Sequence, residues 1–167
     1  MKTETVLFAD DGDIPNSRLP LIVYRQAIEP SGRNLAVAFE DLFGGNTWGG
    51  GWRNGIFPFH HYHSTAHEVL GIAHGEAEVR FGGEAGQTFG ITAGDAVLIP
   101  AGVGHKRLSA SHDLLVIGAY PRGQRADLMR EGAEDKAGIR ARIAAVALPR
   151  TDPIAGASGP MRTEWTA

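Results

Sequence analysis

Between Gly55 and Gly75 the chain reads GIFPFHHYHSTAHEVLGIAHG. Four of its seven histidines, His60, His61, His63 and His67, fall within eight consecutive positions there. Chance would place about 0.3 in a window of that size, so the surplus asks for a chemical reason, and clustered imidazole is a metal-ligand pattern. Two backbones compete for the stretch. On a helix, His60, His63, His67 and His74 share a face, and His63 with His67 makes an i, i+4 clip. Against that helix stand Pro58, Gly71 and Gly75, together with the strand formers Phe57, Phe59, Tyr62, Thr65, Val69 and Ile72. On a strand, His61 and His63 point to one face about 6.5 Å apart, while His60 and Tyr62 point to the other. A zinc-protease helix is excluded, because Gly71 stands where the second His of H-E-x-x-H should be.

Downstream the same texture continues. From about 51 to 120, short runs rich in Val, Ile, Phe and Tyr are broken every 8 to 12 residues or so by turn formers, an all-β pattern. Breaks fall at 53–55, 74–75, 82–86, 93–95, 100–104 and 111–113, which accounts for much of the excess of 23 glycines. Gly49, Gly50, Gly51 and Gly55 match neither the dinucleotide fingerprint nor a P-loop.

On the N-terminal side, about 1 to 50, Val6 to Phe8 and Leu19 to Tyr24 are punctuated by Pro15, Pro20 and Pro30, which suggests edge strands and turns. Leu35, Ala38, Phe39, Leu42 and Phe43 then recur with helical period, with Ser31 as N-cap candidate and Gly44 as stop. On the C-terminal side, about 121 to 167, Ile139, Ile143 and Val146 read as a docking helix stopped by Pro149. From Thr151 onward the composition suggests a loose tail, or an arm reaching a partner subunit or covering the pocket.

The whole chain has 167 residues, which suits one domain with one core. With 43% hydrophobic residues, 21% charged and a net charge of -3, the composition is globular and gives no basic field for nucleic acid. No run reaches the roughly 18 apolar residues of a membrane span, and no signal segment precedes the first strand, so the expected location is cytoplasmic. Absence of cysteine removes thiolate ligands and nucleophiles, leaving His and carboxylate to hold any metal.

The spacing is similar to the first motif of the cupin superfamily at every fixed position: Gly55, His61, His63, Glu68 and Gly75. A second motif follows in order with Gly94, Pro100, Gly102 and His105, and departs only at its closing position, where Ser109 replaces the usual Asn. Within the superfamily the chain resembles small single-domain bacterial cupins of unassigned activity. The resemblance implies a double-stranded β-helix (jelly-roll) barrel with flanking helices. It also implies one divalent ion (Fe, Mn, Ni, Zn or Cu) held by His61, His63, Glu68 and His105 in the barrel mouth. Ligand type alone does not choose among those metals.

Beyond the ligands, Glu68 is also a candidate acid or base. Alternation turns the neighbouring His67 outward, to a surface or inter-subunit role, and His60, His74 and His112 read as structural. Arg107, two residues past His105, and Arg53, entering the first motif, are candidates for binding an anionic substrate. Tyr62, Val69 and Leu115 put apolar surface on the outside of the barrel, to be covered by flanking helices or a second subunit, and a homodimer is expected. The leading functional expectation is a metal-dependent enzyme on a small organic molecule, with oxygenase, isomerase and decarboxylase chemistry all open. A non-catalytic metal or small-molecule binding protein, and a metal that stabilises a structural dimer, are the alternatives.

Overall fold

Two antiparallel sheets face each other in a computed structural model that describes residues 1–167. Sheet A contains β1 (Lys2–Val6), β2 (Leu21–Arg25), β3 (Trp48–Asn54), β5 (Glu68–His74), β8 (Ala96–Ile99) and β10 (Leu115–Pro121), in the order β1-β2-β8-β5-β10-β3. Sheet B contains β4 (His61–Tyr62), β6 (Glu76–Phe81), β7 (Gln87–Thr92), β9 (His105–Ala110) and β11 (Met129–Arg130), in the order β11-β4-β9-β6-β7. Three helices complete the chain: α1 (Leu35–Gly45), α2 (Lys136–Ala145) and α3 (Met161–Glu164).

The period-two rule explains both faces of β5. Leu70 and Ile72 enter the interior between the sheets, beside Val79, Phe81, Ile91 and Val116. Val69 and Ala73 leave on the other side and meet Phe39 and Phe43 of α1. Gly71, on that outer face, lets the Phe39 ring lie against the sheet, since a Cβ there would sit 2.5 Å from it. Covered on both faces, β5 is buried along its length up to the terminal His74. In contrast, β6 alternates, with Ala77, Val79 and Phe81 inward and Glu76 and Glu78 exposed, because the outer face of sheet B there meets water.

Several expectations change here. Leu21–Arg25 is not an edge strand: β2 lies between β1 and β8, and Leu21 to Tyr24 are fully buried. Pro15, Pro20 and Pro30 all fall outside strands, so they cost the ladder no donor. The barrel therefore draws on the first 50 residues and on Met129–Arg130 as well as on 51–120. Helix α1 is capped by Asn34, whose side chain accepts from the Val37 N–H, and not by Ser31; Gly44 and Gly45 lie inside the last turn and Asn46 closes it.

Nor is the segment after Thr151 a loose tail. Asp152 is fully buried and accepts four hydrogen bonds, from Tyr24 Oη (2.7 Å) and from the N–H groups of Ile154, Ala155 and Met161. Trp165 donates to the Pro20 carbonyl at 2.8 Å, and its ring joins the core cluster behind sheet A. The segment thus lies on the outside of the barrel, and the chain itself covers the apolar surface noted above. Helix α1 and the C-terminal segment join the cluster that holds Val69 and packs Leu115, while Ile14 and Ile139 of α2 cover Tyr62. No helix is long and apolar enough to cross a membrane.

Candidate metal centre

A cavity of about 400 Å³ opens between the sheets at one end of the barrel. Alternation delivers its lining in pairs: Trp52 and Asn54 from β3, Glu68 and Leu70 from β5, His105 and Arg107 from β9. His61 in β4 and His63 just beyond it follow the same parity, and His61 is the direct cross-strand partner of His105. The extended reading of the histidine cluster is therefore the one adopted.

His63 Nε2 lies 3.3 Å and His105 Nε2 3.4 Å from Glu68 Oε1. The ligand atoms of these three residues all fall within 4.8 Å of one another. The His61 ring stands beside them, 3.9 Å from the His105 ring and 6.2 Å from that of His63, measured between centroids. Each imidazole is pinned from behind. The Nδ1–H groups of His61, His63 and His105 donate to the carbonyls of Phe59, Asp127 and Val103 respectively. A carbonyl only accepts, so Nδ1 carries a proton and Nε2 is the atom each ring has left to offer a metal.

Electrostatics sharpen the point. Burial by itself would raise the Glu68 carboxyl, but the facing His63 and His105 imidazoles outweigh it and hold the group well below the usual carboxylate range. Burial, with His105 close by, pushes His61 down to about 3. Burial also works against a charge on His63, yet the Glu68 carboxylate prevails and raises it. Lone pairs and a carboxylate buried against each other repel unless a cation or protons lie between them, so the donor set fits a divalent ion. The backbone acceptors behind the rings are the usual supports of metal-binding imidazoles.

Arg107 lines the cavity as expected, half-buried at its rim. Arg53 does not. The alternation that sends Trp52 and Asn54 inward sends Arg53 outward, where its guanidinium pairs with both oxygens of Glu40 on α1. His67 is not a surface residue either. It is buried against Trp165 at 4.7 Å between rings, and its Nδ1 accepts from the Ala101 N–H at 2.9 Å. The outward direction was right, but the C-terminal segment covers that face. His60 is buried and bonded to Glu84 at 2.8 Å, consistent with a structural role.

Neither Trp52 nor Tyr120 was singled out from the sequence. In the structure Trp52 Nε1 donates to Tyr120 Oη at 2.8 Å, and both side chains line the cavity. Burial and the Glu68 charge push the Tyr120 phenol above its ordinary value, so it stays protonated. Gly118 makes room for this arrangement, because a Cβ there would lie 2.1 Å from the Trp52 ring. Only the parity of β3, which sends Trp52 inward once Arg53 faces out, could have signalled the pair. Asp127 was also missed. Besides its carbonyl on His63, its carboxylate accepts from the N–H and hydroxyl of Ser64, tying the loop after β10 to the histidine strand.

No protein-family model matches the chain. Over 165 residues, 98% of this chain and 97% of the other, it is 43% identical to the uncharacterized protein YjlB of Bacillus subtilis (strain 168). The chain belongs to the YjlB family. Among solved structures, a DUF861 family protein from Thermotoga maritima is 27% identical, covering 42% of this chain and 75% of that one, with a TM-score of 0.31. Acireductone dioxygenase from Bacillus anthracis, with a cadmium ion in its active centre, is 12% identical over 64% of this chain and 82% of that one, with a TM-score of 0.44. The fold of this YjlB-family chain is the cupin jelly roll, read from its strand order and from the seating of both histidine motifs on strands that line one cavity.

Proposed function

We propose that the protein is a metal-dependent enzyme acting on a small organic molecule, with one divalent transition-metal ion held by His61, His63, His105 and Glu68. What supports the reading is the set of three imidazoles whose Nδ1–H groups are spent on backbone carbonyls, leaving their Nε2 atoms to line one cavity with a buried carboxylate. When bound, such an ion supplies Lewis-acid polarisation of a substrate oxygen, and redox capacity if it is iron, manganese or copper.

The chain's own residues do the rest. Trp52, Ile56, Phe57 and Leu70 wall off the cavity from water around the reacting end of a substrate. Glu68, ionised and facing His63 and His105, supplies the negative charge that balances a bound cation and accepts a hydrogen bond from a bound molecule. Tyr120, protonated and held by Trp52, offers its hydroxyl proton from β10, the strand beside Glu68 in the same sheet.

Elemental analysis of untagged protein, purified without chelator, tests the site beside the His61→Ala/His63→Ala double variant. The expected result is close to one transition-metal ion per chain, lost in the variant while the fold is retained by circular dichroism. Failure of the wild type to take up any divalent ion at neutral pH, or retention of the ion by the double variant, overturns the ligand assignment. For catalysis, turnover of a panel of small oxo- and hydroxy-acids is followed by NMR. It should vanish in Glu68→Gln; conversion that persists there places the chemistry elsewhere. Stabilisation by a panel member without conversion would make the protein a binding module instead.

A further inference from the structure

Building on the enzyme reading of this cavity, we infer that its ligand is a small monocarboxylate, with the carboxylate on Arg107 and an apolar body against Phe57 and Leu70. Three observations on the cavity carry this. First, Arg107 is the only arginine or lysine among the lining residues. Second, its guanidinium takes part in none of the ion pairs of the structure and in no side-chain hydrogen bond. Arg25, Arg53 and Arg140, by comparison, each lie within 2.6 Å of a carboxylate oxygen. Third, Arg107 is not adrift: its backbone N–H donates to the Phe57 carbonyl at 3.0 Å, which fixes the strand against the loop that supplies the apolar wall.

A half-buried arginine with its guanidinium fork unused is matched to a planar, bidentate oxyanion, and a carboxylate has that geometry. Size and charge narrow the class. At about 400 Å³ the cavity lies near the lower end of small-molecule sites, which run roughly 300–1,000 Å³. One arginine among Trp52, Ile56, Phe57, Pro58 and Leu70 offers too few donors for a phosphate dianion or a nucleotide diphosphate, each of which needs several cations or helix N-termini. The alternation that carries His105 also carries Arg107, two residues and one strand repeat further toward the rim. One end of the ligand therefore meets the arginine while the other reaches the histidine cluster.

Benzoate, its neutral isostere benzamide and inorganic phosphate are the probes, titrated by calorimetry into metal-loaded protein and into metal-free protein. Arg107→Gln is the variant and Arg53→Gln, whose guanidinium faces α1, is the control. Benzoate is expected to bind saturably and about tenfold or more tighter than benzamide, a preference erased in Arg107→Gln and kept in Arg53→Gln. Metal content should be the same in all three proteins.

Benzoate binding that survives Arg107→Gln but disappears with the metal would put the carboxylate on the ion and overturn the inference. So would benzamide binding as tightly as benzoate, phosphate displacing benzoate at equal concentration, or no saturable benzoate binding at millimolar concentrations. A benzoate preference that persists in metal-free protein and is lost in Arg107→Gln supports the anchor by itself. In that event the ion stands or falls on the elemental analysis alone.

Discussion

Replacing Gly118 by Ala tests how tightly the cavity wall is built. Gly118 of β10 is the cross-strand partner of Trp52 in β3, and the indole occupies the space a side chain at 118 would need. An alanine Cβ would stand 2.1 Å from Trp52 Cε2, 2.3 Å from Cζ2 and 2.5 Å from Nε1, all well inside van der Waals contact. Either the indole swings away, breaking its hydrogen bond to Tyr120, or β3 and β10 separate. Overpacking of this kind costs roughly 1–3 kcal/mol and the hydrogen bond about 1 kcal/mol more. The lower backbone entropy of alanine in the unfolded chain returns about 0.5–1 kcal/mol. The expected net loss is roughly 1–3 kcal/mol, read as a lower urea midpoint at unchanged slope. The diagnostic is a double-mutant cycle with Trp52→Leu: without the indole there is nothing to strike, so Gly118→Ala should cost much less, with a coupling of at least about 1 kcal/mol. A change below about 0.5 kcal/mol in the wild-type background, or strict additivity with Trp52→Leu, would refute the packing argument.

Two further substitutions probe the supports outside the cavity. Asp152→Ala strands the Tyr24 hydroxyl and three backbone N–H groups in the core, so it should cost at least about 3 kcal/mol and expose residues 151–167 to limited proteolysis. Tyr24→Phe, which removes only one of those four bonds, should cost about 1 kcal/mol in the same urea titration. Asn34→Ala removes the cap of α1 and is expected to lower stability by about 1 kcal/mol, whereas Ser31→Ala should leave the midpoint unchanged.

The candidate ligands were named through the resemblance to the two cupin motifs, and the part of their placement that the residues alone carry is local. Strand parity puts His61 with His63, and His105 with Arg107, on the same side whatever the rest of the chain does. Alternation also puts Trp52 and Arg53 on opposite faces of β3, but which of them enters the cavity is set by the pairing of β3 with β10. Helix α1 was visible from its apolar repeat, but Ser31 and Asn34 are both competent caps, and the choice depends on where the backbone turns. Strand β2 was harder. Its run Leu21 to Tyr24 is continuously apolar, the mark of a strand covered on both faces, yet the flanking prolines drew the reading to an edge. The segment after Thr151 was opaque for a different reason. Its burial hangs on Asp152 meeting Tyr24, a partner 128 residues away, and no periodicity within the segment encodes that contact.

The interleaved order of sheet A sets the timetable on which a newly made chain can fold. Strand β3 finds its hydrogen-bonding neighbour only in β10, where Asn54 pairs with Val116, so about 60 residues must be synthesised before its ladder can close. At roughly 5–20 residues per second that is an interval of several seconds, during which an open strand could pair with another nascent chain. The sequence of β3 is WGGGWRN, and three consecutive glycines make it a poor β-former on its own. The composition that looks like weakness in the finished sheet keeps the strand from finding the wrong neighbour before the right one exists.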